Sequence, residues 1–481
     1  MRTPPEAFAA RRARLAARLG GAPALVCAGR PSARNFPANR YPFRASSHFL
    51  WLVGDASPGA MLLFDEGRAT LFVEPAAPDA ALWHGQQPSP EALGRALGLE
   101  VRPLAALDDA LASRRDLVAT LAPIDPATAA ELQLRLRRPI ATAETARVAG
   151  PDATLADAMV ELRLVHDDWA VDQLRQAAAV TVEAHLAGLR ATRPGATEAE
   201  VAAAMEHAIA RHAMTTSYAS IVTVHGEVLH QERRDGTVAA GDLLLADVGA
   251  ETQEGWAGDV TRVWPAASRF SPTQRAIYDV VLEAQRAAIA AVRPGTRYRT
   301  VHETAAHAIV AGLHALGIFR ATSSVADLAA RGAHALFFPH GIGHLLGLDV
   351  HDMEDLGDRA GYAPGRERPS RFGDAYLRLD RDLAPGMCVT IEPGFYQVPA
   401  ILDDPARVGP FADDLDRGEL AKFADVRGIR IEDDVLVGAH GAVVLTAAMP
   451  KTPDEIERLV AERPQAATPL GARTRAPGHD L

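Results

Sequence analysis

The sequence predicts an α/β protein of two parts, a smaller amino-terminal α/β domain over residues 1–155 and a larger second domain over 156–463. Three observations carry this. The chain has 481 residues, 48% of them hydrophobic, enough to fill more than one core. Its texture changes near residue 155. Beyond that point one pattern occurs twice, "RPGATEAEVAAAMEHAI" from Arg193 and "RPGTRYRTVHETAAHAI" from Arg293.

In the first part, short apolar runs ("GAPALVCAG", "HFLWLVG", "GAMLLF", "RATLFVEP") are separated by Gly, Pro, Asn and Asp. "EALGRALGLE" and "LAALDDALASRRDLVATL" instead have helical spacing. The second part opens with "TLADAMVELRLVHDDWAVDQLRQAAAVTVEAHLAGLR", rich in helix formers with apolar positions three to four apart, which predicts two helices. In both copies of the repeat a loop ends before a helix, so two similar half-domains facing across a cleft are expected. Residues 464–481 have too little apolar content to pack and are expected to be a disordered tail.

Composition excludes several classes of function. The net charge of -11 is spread along the chain, and no basic block with interleaved aromatics offers a nucleic-acid surface. Cys27 and Cys388 are the only cysteines, which rules out a disulfide framework or a cysteine metal knuckle. A reducing, cytoplasmic setting is expected. The first twenty residues read as an amphipathic helix, and no run of eighteen apolar residues follows to enter a membrane.

"HGIGHLLGLDVHD", residues 340–352, concentrates His340, His344 and His351 in a chain with 17 histidines. Its glycines make it a poor helix and allow a close backbone approach to something else. In "GDLLLADVGAETQEGWAGDVTRVWP", two β runs bring Asp247 and Asp259 together beside Trp256 and Trp264. Two carboxylates in an apolar setting repel unless a proton or cation lies between them; surface turn aspartates are the plainer reading. "PGMCVTIEPGFY" places Glu392 at the end of a β run. "RGIRIEDDVLV" places Glu432 within one, on the same face as Arg430, and neither tolerates an apolar sheet without partners. Taken together, Asp247, Asp259, His344, Glu392 and Glu432 offer oxygen ligands and one nitrogen, a set suited to a pair of hard or borderline divalent ions.

These segments resemble the proline-specific metallopeptidases of the pita-bread fold, the M24B group of aminopeptidase P and prolidase, with methionine aminopeptidase more distant. The resemblance rests on "DVG…AGD", "HGIGH…LDVHD", "IEPG" and "RIEDD" in combination, with "YPFRASSHFLWLVG" and "LFVEPAAPDAALWHG" matching the group's creatinase-like amino-terminal domain. It implies a pseudo-symmetric pita-bread (creatinase/aminopeptidase) catalytic domain holding two divalent ions, Mn first, with Co, Fe or Zn as other choices. Asp247 then matches the ligand of one metal, His344 and Glu392 the ligands of the other, and Asp259 and Glu432 the bridging carboxylates. His230, His340 and His351 match the histidines that attend the substrate. Asp247 and Asp259 stand twelve positions apart where many members have eleven, a difference the hairpin loop absorbs.

The implied reaction is attack by a water shared between the two ions, with Glu392 as general base. The implied substrate is a peptide with proline as its second residue. Aminopeptidase P and prolidase share every ligand. "LRLDRDLAPGM" resembles prolidase, in which an arginine at the position of Arg378 caps the carboxylate of a dipeptide, and Arg430 is a further candidate for substrate contact. The amino-terminal domain looks at least as much like aminopeptidase P, which is the reading preferred. Some relatives of this fold have lost their ligands and only bind; five retained ligands argue against that here. The first domain, without chemistry of its own, is left to shape the entrance or form a homodimer contact.

Overall fold

The computed structural model describes residues 2–112 and 114–463, so the tail expected over 464–481 lies outside the described residues. The amino-terminal part is built on a five-stranded sheet. Its order is Glu100–Pro103, Arg68–Val73, Met61–Asp65, Ala24–Cys27, Ala119–Thr120. The first twenty residues do contain an amphipathic helix, Pro5–Leu19, which buries Phe8, Leu15 and Leu19. One apolar run departs from its neighbours. Ser47–Val53, from "HFLWLVG", is a helix, capped by Ser46 Oγ accepting from the Phe49 N–H and ended by Gly54. A short run buried on every side carries no period to separate strand from helix, so its caps decide.

The second part begins with the two helices expected of it, Gly150–Arg163 and Asp168–Ala191. The first spans the expected boundary at residue 155, and its Leu155, Met159 and Leu162 join a core that also holds Phe49, Trp51, Trp256 and Leu346. The two parts are thus packed against each other through shared apolar surface.

The internal repeat corresponds to two helix hairpins, Asp168–Ala191 with Glu198–Ala210 and Pro272–Ala291 with Tyr298–Ala315. Their turns match in detail. Gly195 and Gly295 both adopt left-handed φ, +87° and +82°. Their N–H groups donate to Val238 O at 2.8 Å and Leu383 O at 2.7 Å, while Ala196 N and Thr296 N close equivalent 3.0 Å turns onto Arg193 O and Arg293 O.

Each hairpin backs its own antiparallel strands. In the first half Leu243–Asp247 lies between Ile221–Thr223 and Thr261–Pro265, in the register Asp247↔Thr261 and Asp247↔Ile221. In the second, Cys388–Ile391 pairs with Asp433–Val437, and Gly394–Tyr396 with Gly428–Arg430. The halves are joined where Glu432 N donates to Thr261 O at 3.1 Å and where fully buried Arg262 bonds Asp433 at 2.7 Å. The result is a small α/β domain followed by a pseudo-symmetric catalytic fold.

Residues 340–352 contain no helix and run against Cys388–Ile391, with Thr390 N donating to His344 O at 3.0 Å. Gly343 permits this: a Cβ there lies 2.2 Å from Thr390 O. Gly343→Ala is therefore expected to destabilise the protein by about 1–3 kcal/mol through overpacking, read from urea unfolding. An unchanged midpoint contradicts the close approach.

Candidate metal centre

The site lies where the strand ends of the two halves meet. Asp247 closes Leu243–Asp247, and Asp259 leads into Thr261–Pro265. The loop between them turns at Thr252–Trp256, where Thr252 N donates to Trp256 O at 2.9 Å. Glu392 follows Cys388–Ile391, as its sequence predicts. Glu432 does not lie inside a strand; it falls in the break between Gly428–Arg430 and Asp433–Val437. That break turns its carboxylate toward Thr261, whose Oγ1 donates to Glu432 Oε2 at 2.7 Å.

The structure brings the five predicted donors together. His344 Nε2 is 3.4 Å from Asp259 Oδ2 and 3.5 Å from Glu392 Oε1. Ligand atoms of Asp259, His344 and Glu432, all buried, lie within 4.8 Å of one another. Asp247 joins through Tyr218, whose hydroxyl is 2.5 Å from Asp247 Oδ1 and 2.5 Å from Asp259 Oδ1. His344 Nδ1 donates to Leu345 O at 3.0 Å, which leaves Nε2 as the acceptor facing the carboxylates.

This donor set fits divalent cations. Four carboxylates converge around one imidazole, and the buried Asp434 holds Asp259 by accepting from its backbone N–H at 3.2 Å. Burial, reinforced by the charge of Asp247, pushes the Asp259 carboxyl up to about 7. Burial also pushes Glu392 up to about 7, against the opposing pull of His344 and Arg430. Glu432 is driven well up by burial and then by Asp259. One hydroxyl carries one proton, so Tyr218 donates to one aspartate and accepts from the other as a carboxyl O–H. Shared protons or divalent ions are the two ways to relieve the repulsion within such a cluster.

The attending residues take different places. His340 bonds Gly341 O at 2.8 Å and Tyr396 Oη at 2.9 Å, and its Nδ1 is 3.8 Å from Glu392. The His351 ring stands 4.2 Å from that of His344, and its Nδ1 bonds Glu354 at 3.2 Å. His230 is exposed and lines the same cavity, of about 730 Å³. Arg378 is at the cavity wall, 39% exposed, with Nη1 2.6 and 2.8 Å from the two oxygens of Glu354. Arg430 is buried and engaged by the protein itself: Nη2 with Asp247 at 2.5 Å, Nε with Thr261 at 2.9 Å and Nη1 with Tyr396 at 3.0 Å. These are the partners that its shared face with Glu432 requires.

Sequence reasoning missed Tyr218, Thr261, Tyr396 and Asp434. Thr261 was within reach, since alternation places it on the face of Asp259, and Asp434 stands beside Glu432 in "RIEDD". Tyr218 lies 29 residues before Asp247 and 41 before Asp259, in "TTSYASIVTV", with no spacing pattern to mark it.

Residues 172–439 match Metallopeptidase family M24, and residues 8–118 match Aminopeptidase P, N-terminal domain. The chain belongs to metallopeptidase family M24. The Ajellomyces capsulatus protein named "Probable Xaa-Pro aminopeptidase PEPP" is 32% identical to it, over 87% of this chain and 88% of the relative. The Homo sapiens "Xaa-Pro dipeptidase" is 31% identical over 98% and 96%. Among solved structures, Pseudomonas aeruginosa aminopeptidase PepP superposes with a TM-score of 0.78 at 31% identity, covering 96% of this chain and 98% of that one. The M24 assignment makes this a metal-dependent peptidase fold, and the carboxylate cluster is its candidate metal centre. No helix among the described residues is long and apolar enough to cross a membrane.

Because Asp259 and Glu392 titrate higher here than ordinary carboxylates do, the folded metal-free protein binds more protons than the unfolded chain. Their contribution to stability is complete below about pH 4 and is lost as pH rises through about 7. The urea midpoint of metal-free protein should fall between about pH 5 and pH 8, and Mn loading should flatten that fall. Parallel slopes with and without metal contradict the cluster's protonation.

Proposed function

We propose that this M24 chain is an Xaa-Pro aminopeptidase, releasing the first residue of peptides that carry proline second. Asp247, Asp259, His344, Glu392 and Glu432 would hold two divalent ions. Mn is the first candidate; Co, Fe and Zn also suit a set of oxygens with one imidazole. Such ions supply Lewis acidity, acidifying water and offsetting charge on the scissile carbonyl oxygen.

The chain's own residues supply positioning and proton transfer. Glu392, beside His344 and His340 in the cluster, would take the proton of the attacking water and return it to the leaving imino nitrogen of proline. His340, held by Tyr396 and Gly341 beside Glu392, is kept low by burial, so it faces the substrate as a neutral imidazole. His230 and His351 are assigned to the substrate carbonyls from the same cavity. Arg430 acts as a positioning residue: it fixes Asp247 and Tyr396 and has little left for a substrate carboxylate.

One observation carries the choice of an aminopeptidase. Arg378, which a dipeptidase needs as a carboxylate cap, is already neutralised by both oxygens of Glu354. The cavity volume of about 730 Å³ is that of a cleft able to take a short peptide. The position of Arg378 at the cavity wall, and the likeness to a human Xaa-Pro dipeptidase, favour the dipeptidase as the second reading.

Two experiments test these assignments. Asp259→Ala and Glu432→Ala should each bind at least one Mn ion per chain fewer than the unaltered protein and lose turnover; full activity in either removes the assignment. On the aminopeptidase reading, kcat/KM should be greater for Ala-Pro-Ala than for Ala-Pro, and Arg378→Ala should change the tripeptide value by about fivefold or less, as for an exposed ion pair. A preference for Ala-Pro that collapses in Arg378→Ala establishes the dipeptidase instead.

A further inference from the structure

A second cluster of metal-ligating side chains lies outside the carboxylate centre. His302 is on helix Tyr298–Ala315, His334 in the 3-10 turn Ala333–Leu336, and Asp374 at the start of the 3-10 turn Asp374–Tyr376. Both imidazoles are 2% exposed and Asp374 is 5% exposed. All four ring nitrogens of the two histidines are buried with no hydrogen-bond partner among the described residues. Neutral imidazoles each carry an N–H and a lone pair, and burying both unmatched is costly. A cation that takes the two Nε2 lone pairs would offset part of that cost, the two Nδ1–H groups remaining without a partner among the described residues.

The geometry points to a third metal site, in which His302 Nε2, His334 Nε2 and Asp374 Oδ1 bind one divalent ion of the zinc class. The two Nε2 atoms are 3.8 and 3.9 Å from Asp374 Oδ1, too far for hydrogen bonds. Tetrahedral bonds of about 2.0–2.1 Å place ligand atoms about 3.3 Å apart, so each imidazole stands about half an ångström too far from Oδ1, and all three donor atoms lie within 4.8 Å of one another. Arg371 bonds the other carboxylate oxygen, Asp374 Oδ2, at 2.9 Å, which fixes the ring of donors and leaves Oδ1 facing the imidazoles. The fourth position opens to a cavity of about 670 Å³ lined also by Arg299, Arg371 and His307.

This site is separate from the carboxylate centre. Phe338 stands between them, its ring 5.6 Å from His302, 6.1 Å from His334 and 4.8 Å from His340. The ion would fasten the turn at Asp374 to the helix of His302. The same stretch of chain carries Phe372, Tyr376 and Arg378 into the wall of the large cavity, so the third ion would set the position of that wall.

The test uses full-length protein with Asp259→Ala and Glu432→Ala together, so that it does not depend on the carboxylate centre. This double variant, equilibrated with Co2+ and freed of excess, should keep one Co2+ per chain with tetrahedral visible absorption. Adding His334→Gln or Asp374→Asn should remove both the band and that ion, while the same changes in otherwise unaltered protein lower the ion count by one. Zn2+ should also raise the melting temperature of the double variant, a readout that stands even if the triad variants fold poorly. No band and no Zn2+-dependent rise overturn the site. So does a band that survives His334→Gln, since the ion is then held by the remaining residues of the carboxylate centre.

Discussion

Asp247, Asp259, Glu392 and Glu432 are held near one another in a largely buried setting, and their mutual repulsion is the constraint around which the second domain is arranged. Four carboxylates in low dielectric are stable together only with protons or cations among them. Neither half of the fold could supply them alone: Asp247 and Asp259 come from one half, His344, Glu392 and Glu432 from the other. The site therefore exists only when the halves are docked, and the contacts that dock them bear directly on it. Thr261 illustrates this. Its carbonyl receives the Glu432 N–H, and its hydroxyl donates to the Glu432 carboxylate while accepting from Arg430.

Arg262 and Arg430 have different tasks on either side of this junction. Arg262, fully buried, is bonded to Asp433 and to the backbone oxygens of Thr261 and Glu432, so it anchors the strand break that presents Glu432. Arg430 faces the cluster and offsets part of its charge through Asp247. A single arginine against four carboxylates leaves negative charge uncompensated, and that residue of charge is what a cation site needs. His340, by contrast, is bonded to a neutral carbonyl and a neutral hydroxyl, those of Gly341 and Tyr396.

Much of this was legible in the sequence. The four candidate carboxylates could be grouped because each stands at a β end in an apolar setting, and the docking of two halves was foreshadowed by the Arg193 and Arg293 copies, whose glycines do occupy equivalent left-handed turns. Other features were not. The helix Ser47–Val53 has an apolar run too short to reveal its period. Tyr218, which links the two aspartates, comes from a separate loop, and sequence distance carries no record of that contact. The engagement of Arg378 by Glu354 joins residues 24 positions apart in an irregular segment, where no periodicity reports on pairing. Local pattern encodes faces and turns; contacts between loops are fixed by the tertiary fold.

The most direct test of the central claim is anomalous scattering from crystals of the Mn-loaded protein. Two Mn peaks enclosed by Asp247, Asp259, His344, Glu392 and Glu432, with Tyr218 displaced from its double contact to the aspartates, are the predicted result. A cluster that stays free of metal at saturating Mn, with Tyr218 still bridging Asp247 and Asp259, contradicts the account.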